Sequence, residues 1–126
     1  MITRVSAGLT TIATLAATCL AAPPAQASDW EVLREGRGAG RHVVMKIWQK
    51  LGPGVQTHAE LSFNTEPGDR LDLLIDNTSH GPWHITSYRQ TLNTPDFRVA
   101  HCTRVGMKFT DGSTSQVSYI EGHVYC

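Results

Sequence analysis

Val55-Gln56-Thr57-His58-Ala59-Glu60-Leu61-Ser62-Phe63 is the stretch on which the fold reading turns. Residues 55, 57, 59, 61 and 63 are apolar or small. Residues 56, 58, 60 and 62 between them are polar. A period of two sends alternate side chains to opposite faces of an extended chain, so one set meets the core and the other meets water. A helix would spread both sets around a cylinder. The reading places Phe63 on the buried face and sends His58 and Glu60 outward together.

The same alternation recurs on the C-terminal side. Leu71, Leu73 and Ile75 form a second set, ended by Asp76-Asn77. Trp83, Ile85 and Ser87 form a third, with His84 and Tyr88 on the opposite face. Phe97, Val99, His101, Thr103 and Val105 read as one continuous set, which places His101 on an apolar face. Met107 and Phe109 lead into the hairpin-turn signal Thr110-Asp111-Gly112-Ser113. Val117, Tyr119 and Val124-Tyr125-Cys126 complete the pattern. Gly52-Pro53-Gly54, Glu66-Pro67-Gly68-Asp69, Ser79-His80-Gly81-Pro82 and Asn93-Thr94-Pro95-Asp96 supply turn chemistry between runs. Short strands at this spacing predict an all-β fold, a small antiparallel β-sandwich of six to eight strands, Ig-like or barrel-like.

Two stretches compete with that reading. Ser28-Asp29-Trp30-Glu31 has the form of a capping box, which predicts a short N-terminal helical turn. Val43, Ile47 and Leu51 sit at helical spacing before the stop Gly52-Pro53. Val43, Met45 and Ile47 equally suit a strand face, and the β-branched pair Val43-Val44 favours the strand.

The chain has 126 residues with eleven basic and eleven acidic side chains. That length predicts a single domain, and the balance argues against a general nucleic-acid binder or a polybasic membrane anchor. Residues 1–27 have the three-part layout of a cleaved secretory leader. Arg4 starts it, an uncharged stretch runs from Val5 to Ala22, and Ala25-Gln26-Ala27 is a small-x-small cleavage site. The threonines at 10, 11, 14 and 18 and the prolines at 23 and 24 make it a poor permanent membrane span. Cys19 fits lipid attachment less well, because Thr18 before it is bulky. The expected mature domain is 28–126, secreted to an extracellular or periplasmic space. The arginine bias and the plain Ala-rich leader suggest a bacterial source.

Cleavage removes Cys19 and leaves Cys102 and Cys126. In an oxidising compartment the simplest outcome is one disulfide. It closes a loop of roughly 25 residues, worth about 3.5 kcal/mol by chain entropy.

Chemistry-bearing residues are scattered. His58 and Glu60 share a strand face and are candidates for acid-base work, with His84 and Arg89 as further weak catalytic candidates. His80 and His84 lack metal-site spacing because Gly81-Pro82 stands between them, so no metal and no cofactor is expected. No nucleophile elbow is present. Gly36-Arg37-Gly38-Ala39-Gly40-Arg41 reads as a surface loop, and Arg37 and Arg41 make it a candidate for holding an anion. Trp83 and Tyr88 are candidate contact aromatics. The resulting expectation is a small binding module that recognises a protein or cell-surface ligand through loops, with no nucleic acid and no lasting membrane insertion. A small secreted hydrolase and a structural envelope protein without ligand are the alternatives. Intact-mass analysis of exported chain checks the processing. The expected mass is that of residues 28–126 less two hydrogens, regained on reduction. A mass retaining the leader, or a lipid on Cys19, contradicts it.

Overall fold

A computed structural model of the chain describes residues 29–38 and 40–126. The expected leader, its expected cleavage site and Cys19 lie outside these residues. Among the described residues the alternating runs form nine strands: β1 Trp30–Arg37, β2 Val43–Lys50, β3 Val55–Phe63, β4 Arg70–Ile75, β5 Thr78–His84, β6 Leu92–Asn93, β7 Phe97–Val99, β8 Arg104–Thr110 and β9 Val117–His123. One sheet has the order β1-β2-β3-β6, with β7 also paired to β3. The other has the order β9-β8-β4-β5. Every pairing is antiparallel. The result is an all-β sandwich with one more strand than the upper expectation, because β6 and β7 are very short.

The inner faces carry the expected sets. Val43, Met45, Ile47, Val55, Ala59 and Leu61 from the first sheet are fully buried against Leu71, Leu73, Val105, Met107 and Phe109 from the second. Each large aliphatic or aromatic side chain buried in this way contributes about 1.5–3 kcal/mol. One flank is closed by β1 against β9, where Arg34 Nε donates to Glu121 O at 2.9 Å. The other is filled by Phe97 of β7 against His80 and Trp83 of β5, at ring centroid distances of 4.8 and 6.4 Å. Cys102 and Cys126 form a disulfide, a bond compatible with an oxidising environment. It pins a C-terminus that also docks through Val124, which is fully buried and exchanges backbone bonds with Cys102 and Thr103.

Five expectations need correction. The N-terminal helical turn is absent: Trp30 and Glu31 open β1 and pair with Lys50 and Gln49. The ladder bonds and the contact between Leu33 and the core outweigh a local cap. Phe63 is 62% exposed instead of buried, because its φ of 77° swings the chain out of the alternation. Ser79-His80-Gly81-Pro82 is not a turn but part of β5 on a sheet edge, where proline is tolerated. The turn is Asp76-Asn77, both with positive φ (51° and 70°), as a two-residue hairpin demands. The run from Phe97 to Val105 breaks at Cys102, whose φ is 62°. There the chain leaves one sheet for the other and leaves His101 exposed. Finally, Gly36 and Arg37 belong to β1, and Gly38 is buried. A Cβ at Gly38 would press on Phe109 at 2.8 Å, so the connection begins later than expected and its first residue is packed on the core.

Arg41 explains how one end of the sandwich is held. Its guanidinium reaches Glu66 at 2.6 Å, Asp69 at 2.7 Å and Asp111 at 3.1 Å. These carboxylates come from the β3–β4 and β8–β9 connections, so one side chain ties three connections together. Asp69 also accepts backbone N–H bonds from Glu66 and Gly112, both at 2.9 Å. Gly112 must be glycine here, because a Cβ would collide with the backbone of Gly68. Burial works against the Asp111 charge. Hydrogen bonds from Ser113 and Thr114, with the Arg41 charge, outweigh burial and hold the carboxyl below its ordinary range.

Because the folded pKa is depressed, this contribution is whole above about pH 4 and is lost as pH falls through the folded value. Arg41→Met strands Asp69 and Asp111, which are 1% and 2% exposed. It should lower the unfolding free energy by about 3 kcal/mol at neutral pH. Urea titrations should show the difference shrinking as pH falls below about 4 and the Asp111 carboxyl takes up its proton. A variant as stable as the parent at pH 7 contradicts this role.

Candidate functional site

The outer face of the first sheet carries the polar half of the alternation, and strand register fixes its rows. Trp48 lies opposite His58, Lys46 opposite Glu60, and Val44 opposite Ser62. A register shift between Val32 and Arg34 in β1 sets Glu35 beside Lys46 and Arg37 beside Val44. The sheet therefore has two distinct outer zones.

The first zone is a packed aromatic cluster. His58 sits 4.5 Å from Trp30 and 6.2 Å from Trp48 between ring centroids, with its Nδ1 3.1 Å from Asp96 Oδ1. Lys50 lies over Trp30 and Lys46 over Trp48, at 5.7 and 5.6 Å. Glu60 Oε1 accepts from Trp48 Nε1 at 2.8 Å. Burial between the indoles disfavours the imidazolium more than Asp96 and Glu60 favour it, so the His58 pKa lies below its ordinary value. Its side chain is only 14% exposed. The ring is thus held between two indoles with one nitrogen facing Asp96.

The second zone is an open groove of about 930 Å³ at the Arg37 end of the sheet. Lys46, Glu60 and Ser62 form its floor. Arg37, His42, Phe63, Asn64 and Arg89 form its walls. It continues past Arg41 and Glu66 to Tyr88. The loop that carries Tyr88 and Arg89 is fixed from below. Thr65 Oγ1 donates to Gln90 O at 2.6 Å and Arg89 N donates to Thr65 O at 2.8 Å. Gln90 Oε1 in turn accepts from Thr86 N at 2.7 Å and Ser87 N at 3.2 Å. Arg89, like Phe63, has a positive φ, 61°. Tyr88 is 74% exposed.

The structure brings together some of the candidate residues and separates others. Arg37, Glu60, Tyr88 and Arg89 border one continuous groove. His58 stands outside it. Trp83 packs on the core, and exposed His84 is paired with Arg70 at the far edge of the second sheet. Arg41 reaches the groove, but its charge is spent on three carboxylates. Among the described residues no three His, Cys, Asp or Glu side chains gather as a metal site. His42, Phe63 and Asn64 are groove residues that sequence reasoning did not single out. Only the end of an alternating run at Asn64-Thr65 could have hinted at them. No family model, curated protein or solved structure matches the chain.

The His58 environment makes a pH prediction. A lowered folded pKa means that the unfolded chain takes up the proton first. Stability should therefore fall as pH drops below about 6.5, the ordinary histidine value. Denaturation between about pH 5 and 7 should show a shallower fall for His58→Gln than for the parent. An NMR titration midpoint for His58 at or above the ordinary value contradicts the assignment.

Proposed function

We propose that this chain is an exported binding module that holds a protein or cell-surface ligand in the groove between Arg37 and Tyr88. The observation that carries the reading is Phe63. The alternation of β3 would bury its ring, yet the residue takes a left-handed backbone and presents the ring to solvent. That conformation costs a non-glycine residue about 1–2 kcal/mol, and exposure forfeits the gain from burial. Strained, exposed residues beside a groove are what a ligand-facing surface retains. Tyr88 and Arg89 add the residue types that dominate contact energy in protein interfaces. The leader layout and the disulfide fit delivery to an oxidising space.

The trade-off supplies the test. Phe63→Gly relieves the backbone and should leave stability unchanged or raise it by up to about 1 kcal/mol. The same change, and Tyr88→Ala, should abolish retention of a partner that the immobilised parent chain captures reproducibly from the producer's secreted and surface proteins. Unaltered capture by both variants contradicts the reading. So does a loss that merely follows a loss of thermal stability.

A further inference from the structure

The groove is electrically unlike the rest of the molecule. The whole chain balances eleven Lys and Arg against eleven acids, whereas at its Arg37 end the groove sets Arg37, Arg89 and Lys46 against one carboxylate, Glu60, and Glu66 farther along is already paired with Arg41. Lys46 is partly engaged, since it lies in register with Glu35 and Glu60 and leans over Trp48. Arg37 and Arg89 are not. Both are exposed, and among the described residues neither forms an ion pair. Arg41, a short distance along, has its charge satisfied by three acids of its own. Two free guanidinium forks across one groove suit planar anions such as carboxylates.

Resting on the groove as the binding site, we infer that its occupant is an acidic, extended segment of a partner protein. The groove's own acid distinguishes this from a polyanion of uniform charge. Glu60 Oε1 accepts from Trp48 Nε1, which leaves Oε2 to accept from a donor. A peptide provides backbone N–H donors between its carboxylates. A sulfated glycan or a nucleic acid would set unbroken negative charge against Glu60. Phe63 and Tyr88 then take apolar side chains that alternate with the acidic ones along the same segment, since both aromatic rings stand exposed at the rim.

The test uses the full, disulfide-bonded chain and a fluorescein-labelled peptide in which Glu alternates with Gly and Leu, followed by anisotropy. The peptide binds, more weakly as salt rises. Arg37→Glu or Arg89→Glu weakens it about tenfold, the loss of one charged contact of ordinary strength. Arg37→Gln and Arg89→Gln, which add no repulsion, give smaller losses in the same direction. Arg70→Glu, on the opposite sheet, leaves binding unchanged. The inference is overturned if the peptide does not bind or if binding ignores both arginines. It also falls if a heparin-derived oligosaccharide or a thymidine oligonucleotide displaces the peptide at lower concentration than unlabelled peptide does. Absence of peptide binding while Tyr88→Ala still abolishes partner capture overturns the acidic segment alone. Loss of neither signal on substitution overturns the binding-module reading with it.

Discussion

A single half-buried guanidinium organises one end of this sandwich. Arg41 lies in the β1–β2 connection, stands 5.7 Å over the ring of Phe109, and meets carboxylates from two other connections. Burial disfavours its charge, and the hydrogen bonds and charges of Asp69, Glu66 and Asp111 more than offset that, so its pKa is raised. Such a cluster is costly to desolvate and stable only when complete. Its completeness has a geometric consequence. The backbone N–H groups of Glu66 and Gly112 have partners only if Asp69 is held in place, and Asp69 is held by Arg41. The floor of the sandwich end and the wall beside Tyr88 are thereby set by the same four side chains.

The period-two pattern made the sandwich legible because the core demands it. Val55, Thr57, Ala59 and Leu61 are fully buried where the alternation put them, and β2 took the strand that Val43-Val44 favoured. The same rule failed wherever the backbone left the extended region. Phe63, Asn77 and Cys102 carry positive φ values on non-glycine residues, and a pattern of side-chain types does not register them. The pattern therefore continued through a break at His101 and misplaced a turn by a few residues at Gly81-Pro82. The disulfide was legible by counting, since only two cysteines follow residue 27.

The site was only half legible for a related reason. Arg37, Tyr88 and Arg89 stood out by residue type, but their meeting depends on the crossing from β5 back to β3, which nothing local encodes. The glycine-arginine stretch from Gly36 to Arg41 suggested one loop with two arginines for an anion. The fold instead divides its arginines, burying Arg41 among acids and leaving Arg37 free on the sheet face. Charge near zero for the chain and a cationic groove at one end are thus compatible, because neutralisation is local.

The account depends on Arg41 and Asp69 forming a closed structural unit beneath the groove. Amide hydrogen exchange of Glu66 and Gly112, read residue by residue by NMR at neutral pH, measures this directly, because both N–H groups end on Asp69. The account predicts protection at these two amides comparable to that of the central strands, collapsing in the Arg41→Met variant while Leu61 and Met107 stay protected. Rapid exchange of both amides in the intact chain would show that the three connections are not held together, and would contradict it.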